Sequence, residues 1–341
     1  MIAREHPRKP RLGFIGVGWI GRHRMEAIAQ SGAAEVACIA DVSPEVARAA
    51  GQPYPACKQA ASMDELLDSG VDAVVIATPS ALHAEQAVRA LEGGLPVFCQ
   101  KPLGRTAAEC RRVVDAARAH DRLLAVDFSY RFTTGMRRIR ERVASGQLGR
   151  VYAVNLVFHN AYGPDKPWFY DPALAGGGCV MDLGIHLVDL ALWVLGFPHV
   201  EQVESHLFVQ GRPLLRAGEA CEDYASAQLR LEGGTIVQLA CSWKLPAGQD
   251  AVIEASFYGD AGGASFRNVN GSFYDFVAEQ YRGTSREVLT SPPEAWGGRA
   301  AIEFAQRLTR DASFDRSVES LISVAETLDR IYSPQLRRWK R

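Results

Sequence analysis

Between Arg11 and Gly21 the chain reads Arg-Leu-Gly-Phe-Ile-Gly-Val-Gly-Trp-Ile-Gly, and an aspartate, Asp41, follows about twenty residues later. The apolar run Leu12 to Ile15 has the length and composition of a buried parallel strand. Its turn, Gly16, Gly18 and Gly21, has the spacing G-x-G-x-x-G and leads into a helix. Gly16 permits the tight turn, Gly18 lets the backbone approach a pyrophosphate, and Gly21 lets the helix pack closely on the strand. The helix N-terminus offers N–H groups and a positive dipole end to phosphates. A second apolar strand, Glu35 to Ala40, ends in Asp41, whose carboxylate can accept bonds from an adenosine ribose. This order of elements predicts dinucleotide binding.

Asp41 favours NAD, because a carboxylate there suits a free 2′-hydroxyl and repels a 2′-phosphate. Val42 and Ser43 follow it, so no arginine stands beside it to receive a phosphate, and Arg48 lies a turn or more into the next helix. A rearranged loop would still admit NADP.

With 341 residues, 47% of them hydrophobic, the chain can bury a large core and is expected to form two domains. Its 38 basic and 39 acidic side chains balance, which gives no reason to expect nucleic acid or anionic membrane as a partner. The segment Met1 to Pro10 carries Arg4, Arg8 and Lys9 but no apolar run of signal-peptide length. No uninterrupted apolar run reaches the length of a membrane span. Seven cysteines stand singly without a C-x-x-C, the pattern of small buried hydrophobes in a reduced, cytoplasmic enzyme.

Strand and helix signals alternate through the first third. Ser43-Pro44 opens a helix, and Ser62 caps another, Met63 to Ser69. Val71 to Ala77 is a buried strand, turned by Thr78-Pro79-Ser80 into the helix His83 to Leu91. Leu95 to Cys99 is the next strand, and the helix Ala107 to His120 leads to the strand Leu123 to Phe128. This alternation predicts a mainly parallel sheet with right-handed crossovers over residues 1–128. Over residues 129–341 the rhythm changes. After a basic helix, Met136 to Ala144, come strands without helices between them, including a hairpin of Asp223 to Leu231 and Thr235 to Trp243. They predict an antiparallel sheet, interrupted by one long helix, Val180 to Leu195, and followed by a helical region from Ala300 to Tyr332 with Ser317 as an internal cap. One face of such a sheet needs a cover, which predicts a homodimer or homotetramer.

Asp182, His186 and Asp189 recur at spacings of four and three, which places them on one face of the long helix. Three ionisable groups on an otherwise apolar helix are costly to bury without partners. One reading is an acid/base pair, with His186 exchanging the proton and Asp182 orienting a hydroxyl or polarising the ring. The other is a satisfied buried network that pins the helix. No further ligand pair accompanies them, so no metal is expected. Lys101 follows the strand ending at Cys99, and carboxyl ends of parallel strands face the ligand crevice. A lysine there can bond a substrate hydroxyl and favour its alkoxide.

Taken together, the glycine fingerprint, Thr78-Pro79 with His83, Lys101-Pro102, and Gly176-Gly-Gly178 leading to Asp182-x-Gly184-x-His186-x-x-Asp189 resemble the glucose–fructose oxidoreductase, inositol dehydrogenase and MocA (Gfo/Idh/MocA) family. The resemblance runs from about Arg11 to the C-terminal helix. It implies a Rossmann domain followed by an α+β domain with a large, mainly antiparallel open sheet, and pyridine-nucleotide chemistry on sugars or cyclitols. It implies Lys101, Asp182 and His186 as catalytic residues. Gly16, Gly18, Trp19, Ile20, Gly21, Asp41, Thr78, Pro79, His83, Gln100 and Lys101 would contact the cofactor. The family's Glu-Lys-Pro motif is Gln100-Lys101-Pro102 here, which keeps the shape but removes a charge beside the lysine. The substrate is expected between the two domains, against Lys101, Asp182, His186 and a lining drawn from Tyr130, His159, Asn160, Trp168 and Tyr170, since aromatic faces suit the C–H surfaces of a sugar ring. Arg131 and Arg137 could meet a phosphate, but isolated arginines are commonly surface or interdomain contacts, and no phosphorylated substrate is expected.

These features predict an NAD-dependent dehydrogenase acting on a secondary alcohol of a sugar, sugar derivative or inositol. Two alternatives share the residues: glycoside cleavage through oxidation, elimination and reduction with tightly held NAD, and a non-catalytic sensor of NAD and sugar.

Overall fold

The computed structural model describes residues 8–216 and 218–333. The first seven residues of the Met1 to Pro10 segment, Arg4 included, and the outer limits of the expected domains at 1 and 341 lie outside the described residues.

The chain divides into two compact units. The first comprises Met1–Gly104, Ala108–Ser129 and Gly297–Glu319. Along it run β1 (Arg11–Ile15), α1 (Trp19–Ser31), β2 (Glu35–Ala40), α2 (Pro44–Gly51), β3 (Lys58–Ala60), α3 (Met63–Leu67), β4 (Ala73–Ile76), α4 (Ser80–Glu92), β5 (Val97–Cys99), α5 (Ala107–Ala119) and β6 (Leu124–Val126). The strands form one parallel sheet in the order β3-β2-β1-β4-β5-β6. Leu12, Phe14, Val74, Val75, Ile76 and Phe98 are at most 1% exposed, as strands covered by helices on both faces require. Ser43 and Ser62 cap α2 and α3 as expected, accepting from Val46 N and Glu65 N. The edge strand β3 has no apolar alternation and escaped the sequence reading.

Residues 297–319 belong with this first unit, whereas the boundary read from sequence divides the chain once, at 128/129. The reason is packing. The Phe304 ring lies 5.6 Å from Phe98, and the Leu123 amide donates to the Ala312 carbonyl at 2.7 Å.

The second unit comprises Arg105–Ala107, Tyr130–Trp296 and Ser320–Arg341. It carries α6 (Thr134–Ala144), β7 (Val151–Asn160), the short helix α7 (Pro172–Ala175), a π-helical stretch Val180–Gly184 and α8 (Ile185–Val194). Then come β8 (Val200–Val209), β9 (Arg212–Pro213), β10 (Tyr224–Leu231), β11 (Ile236–Ser242), β12 (Ala251–Gly259), β13 (Gly263–Asn268), β14 (Phe276–Arg282) and β15 (Ser285–Thr290). The helix α9 (Arg299–Leu308) returns to the first unit, and α10 (Ser320–Tyr332) closes the second. The sheet runs β15-β14-β13-β12-β7-β11-β10-β8-β9, antiparallel throughout except for the parallel pair β7 and β11. The expected hairpin is β10–β11, turned by Gly233 and Gly234 with φ of 83° and 86°. Along β7 the side chains alternate: Val154, Leu156 and Phe158 are buried, while Asn155 and His159 take the opposite face.

Three expectations need correction. The last helical region is two helices, and between them the Ser317 amide donates to Asp315, which also accepts from Arg307. The long second-unit helix opens with a π-helical turn. Finally, the stretch Pro172–Val194 is long and apolar enough to cross a membrane by length and composition, but 89% of its apolar window is buried in the unit's core.

Candidate active site

The glycine turn is built for two kinds of neighbour. A Cβ on Gly16, whose φ is 78°, would lie 2.6 Å from the Ala77 carbonyl oxygen, and one on Gly21 would lie 2.1 Å from the Gly16 oxygen. Both are glycine because protein backbone fills the space. A Cβ on Gly18 would meet nothing within 4 Å, so its smallness serves an approaching ligand. Gly18 is also the N-cap of α1 and supplies no side-chain cap, leaving the helix end to accept an anion. Asp41 is fixed against this turn, Oδ2 accepting from Val17 N at 2.8 Å and Oδ1 from Ser43 N at 2.9 Å. Each oxygen keeps a lone pair for a hydroxyl donor. Trp19, 71% exposed, follows Gly18. These residues fit a dinucleotide.

The neighbouring turns are braced from within. His83 is buried, with Nε2 2.6 Å from the Thr78 carbonyl and Nδ1 2.7 Å from the Pro102 carbonyl. Burial pushes its pKa down, while the two carbonyls favour the doubly protonated ring. Both nitrogens are engaged, so His83 holds the Thr78-Pro79 and Lys101-Pro102 turns together rather than turning its ring to a cofactor. Thr78 likewise points inward, its hydroxyl donating to Gln86 at 2.6 Å.

Gln100 enters a buried network. Its Nε2 donates to Asp127 Oδ2 at 2.6 Å, and Arg24 Nε donates to the same oxygen at 2.5 Å. Asp127 Oδ1 accepts from the Ser129 hydroxyl at 2.7 Å, and Arg24 Nη2 donates to Ser129 at 3.0 Å. Arg24 Nη1 lies 2.8 Å from His23 Nδ1. The charge absent at position 100 therefore stands at position 127. Lys101, next in the chain, is half-buried.

In the second unit, a buried carboxylate holds the π-helical turn. Glu222 accepts from Gly178 N through Oε2 at 2.9 Å, and from Val180 N and the Tyr332 hydroxyl through Oε1, both at 2.8 Å. Burial pushes its pKa up against these three donors. The glycine run is needed for this approach, since a Cβ on Gly178 would lie 2.0 Å from the Glu222 carbonyl oxygen. On the turn so held, Asp182 Oδ2 accepts from the Trp243 indole N–H at 3.0 Å. His186 stands edge-on to Tyr130, with ring centroids 5.1 Å apart. Asp182 and His186 are half-buried.

Asp189 does not share their surroundings. It is 1% exposed and takes a two-toothed ion pair from Arg131, whose guanidinium lies over Trp193 and Phe197. It lies three residues beyond His186 in the regular helix α8, and what sets it apart is its burial against the Arg131 guanidinium. Asp189 is the satisfied, helix-pinning group, and Arg131 is committed to it. Arg137 lies over Phe132 at 5.0 Å.

The lining candidates separate. Trp168 stacks on Phe169 at 3.8 Å, and Phe169 meets Trp243 edge-on, so a file of rings leads to Asp182. Tyr130 is 8% exposed among Phe158, Phe276 and Trp296 and acts as packing behind His186. Asn160 spends its side-chain oxygen on Tyr162 N, and the Tyr170 hydroxyl donates to the Pro164 carbonyl. His159 leaves the set: strand alternation puts it on the face opposite Phe158, where it bonds Ser242 and stacks on Tyr224. Among the described residues no three His, Cys, Asp or Glu side chains gather as a metal set. Sequence reasoning missed Arg24, Asp127, Glu222 and Trp243. For Asp127, Glu222 and Trp243 the signal was an ionisable or indole side chain at the edge of an apolar strand, and for Arg24 a cation within α1 beside the apolar Met25.

Residues 10–128 match the family model described as an oxidoreductase family with an NAD-binding Rossmann fold, and residues 136–265 match the GFO/IDH/MocA C-terminal domain. The chain is 31% identical over 229 residues to the D-glucoside 3-dehydrogenase of Escherichia coli strain K12, covering 64% of this chain and 63%, less than two thirds, of that enzyme. It is 32% identical over 259 residues to the inositol 2-dehydrogenase of Acidiphilium cryptum, covering 75% and 73%. The crystal structure of GenD2 from gentamicin A biosynthesis, in complex with NAD, is similar with a TM-score of 0.79 and 25% identity, over 95% of this chain and 93% of that one.

Proposed function

Since the chain belongs to the Gfo/Idh/MocA family of oxidoreductases, we propose that it is an NAD-dependent dehydrogenase acting on a secondary alcohol of a sugar, sugar derivative or inositol. The observation that carries this reading is the half-exposed Asp182 and His186 on a turn pinned by Glu222, with the Trp243 N–H fixing the carboxylate. The names of the glucoside and inositol dehydrogenases it resembles support the substrate class.

In this reading a ring nitrogen of His186 takes the substrate hydroxyl proton, and Asp182, held by Trp243, orients that hydroxyl. The Lys101 ammonium bonds the same oxygen and stabilises its developing charge. The turn shaped by Gly16 and Gly21 would hold the pyrophosphate at Gly18 and the N-terminus of α1, and Asp41 would accept from the ribose, which favours NAD over NADP. When bound, the cofactor supplies a hydride acceptor for the carbinol carbon. Trp168 offers an aromatic face to the sugar ring. The sheet face bearing Asn155, Gln228 and Gln238, which pair side by side across three strands, is covered by further copies in a homodimer or homotetramer. The seven free thiols suit the cytoplasm.

The test is absorbance of reduced nicotinamide with NAD and NADP in parallel against inositols, aldoses, aldonates, anhydrosugars and glucosides. His186→Ala and Lys101→Ala should each lose roughly 10²–10⁴-fold in turnover with NAD affinity by calorimetry nearly intact. Binding of NAD without reduction by any member of the panel would reject the proposal.

A further inference from the structure

Gln100 and Asp127 stand just past the carboxyl ends of the neighbouring strands β5 and β6, where their side chains meet at 2.6 Å and are 7% and 1% exposed. A carboxylate so enclosed requires a counter-charge and hydrogen-bond donors. Asp127 has both: Arg24, 6% exposed, bonds Oδ2, and Ser129 bonds Oδ1. Arg24 lies on α1, the helix that begins at the glycine turn. The ion pair thus ties the dinucleotide helix to the exit of β6, and the Gln100 amide carries the link on to the exit of β5 that presents Lys101.

We infer that Asp127 is a positioning residue for Lys101: paired with Arg24, it is the buried charge against which the Gln100 amide is aligned, and residue 100 is an amide because position 127 carries the carboxylate. The inference rests on the proposed role of Lys101. It follows from the donor inventory. Gln100 can donate to a carboxylate that already accepts from Arg24, whereas a glutamate there would set two carboxylate oxygens against each other in a place shielded from water. One of the two would have to hold a proton. The charged and titratable groups facing this point are Arg24 and His23 of α1, Asp127 past β6, and Cys99 of β5 with Cys110 of α5 behind it. None of these except Arg24 can neutralise a second carboxylate at pH 7.

The test is a charge-swap cycle of Gln100→Glu, Asp127→Asn and the double variant, in the full-length protein. It reads melting temperature from pH 5.5 to 8.5, NAD affinity by calorimetry, and kcat and KM on whichever sugar or cyclitol the substrate panel identifies. For Gln100→Glu the pair's folded pKa is raised above the unfolded value. Stability is therefore present below the unfolded value and lost as pH rises through the raised one, so the melting deficit should widen towards pH 8.5. At pH 8 kcat should fall about tenfold, one pKa unit's worth of interaction, with NAD affinity little changed, and should recover towards pH 6. Asp127→Asn should lose kcat without that pH dependence. The double variant again sets one carboxylate against one amide and should return melting temperature and kcat to within about threefold of the parent. Should Gln100→Glu fail to fold at pH 8, folding of the double variant carries the same support. Additive losses in the double variant, or an unaltered kcat in Gln100→Glu, would overturn the inference. If the parent chain oxidises nothing, the dehydrogenase proposal fails, while the melting cycle still shows whether the two positions share one charge.

Discussion

At the glycine turn the constraints are mostly close at hand. Gly21 is forced by the carbonyl of Gly16 five residues earlier, and Asp41 reaches back 24 positions to Val17. At the Asp182 turn they come from far along the chain. Glu222 lies 42 positions from Val180, Trp243 lies 61 from Asp182, and Tyr332 lies 110 from Glu222. The first arrangement works through backbone groups, which every residue supplies, so only glycines and one carboxylate need to be specified. The second works through side chains that must each be the right one. A site of the first kind announces itself as a motif. A site of the second kind shows only the residues being held, not those that hold them.

The largest effect that would sharpen this contrast is at Glu222. Glu222→Ala strands two buried amides and a hydroxyl, and should cost about 3–5 kcal/mol by urea unfolding, each stranded donor contributing about 1–3. Glu222→Gln should cost less, because its amide oxygen can keep the bonds from Val180 N and the Tyr332 hydroxyl and its NH₂ group opposes only the Gly178 N–H. A loss under about 1 kcal/mol in Glu222→Ala would mean the turn holds itself.

Next come the last two glycines of the fingerprint. Gly21→Ala forces backbone apart and should cost about 1–3 kcal/mol, whereas Gly18→Ala should leave stability unchanged and lower NAD affinity about tenfold or more in calorimetry. Equal losses of stability at the two positions would erase the distinction between a glycine that serves the protein and one that serves a ligand.

Smaller again is Asp41→Asn, which should narrow the preference for NAD over NADP by about tenfold, roughly 1.4 kcal/mol, as the carboxylate's repulsion of a 2′-phosphate disappears. An unchanged ratio would assign Asp41 wholly to bracing Val17 and Ser43. Smallest is Trp243→Phe, which keeps the ring and removes one N–H bond to a half-exposed carboxylate. It should lower kcat about three- to tenfold, near 1 kcal/mol, with NAD affinity unmoved. A loss as large as that of His186→Ala would make the indole a participant in the chemistry rather than a support.

The same division explains what could be read from sequence. The parallel sheet, the caps at Ser43 and Ser62 and the β10–β11 hairpin depend on near-neighbour patterning, and all were legible. The return of Phe304 to Phe98 was not, since it joins residues 206 positions apart in a helix of ordinary amphipathic pattern. Asp189 was grouped with Asp182 and His186 because spacing along a helix shows a shared face but not the partner, and its pairing with Arg131, 58 positions away, is a tertiary fact. His159 was mistaken for a lining residue because alternation along β7 fixes only relative faces, and which face meets the helices is a tertiary fact. Gln100 stood out as a departure from a motif, yet its partner Asp127 reads in sequence as an unremarked aspartate before Phe128.

The placement of residues 297–319 has a bearing on biosynthesis. The six strands of the first sheet have all been synthesised by residue 126, but the helix that shields Phe98 and the carbonyl that receives Leu123 come much later. At translation rates of about 5–20 residues per second, that sheet waits roughly 10–40 s for its final layer, while the entire nine-stranded sheet of the other unit is made in the interval. The nascent cofactor unit thus carries an apolar opening over Phe98 until residues 297–319 are made.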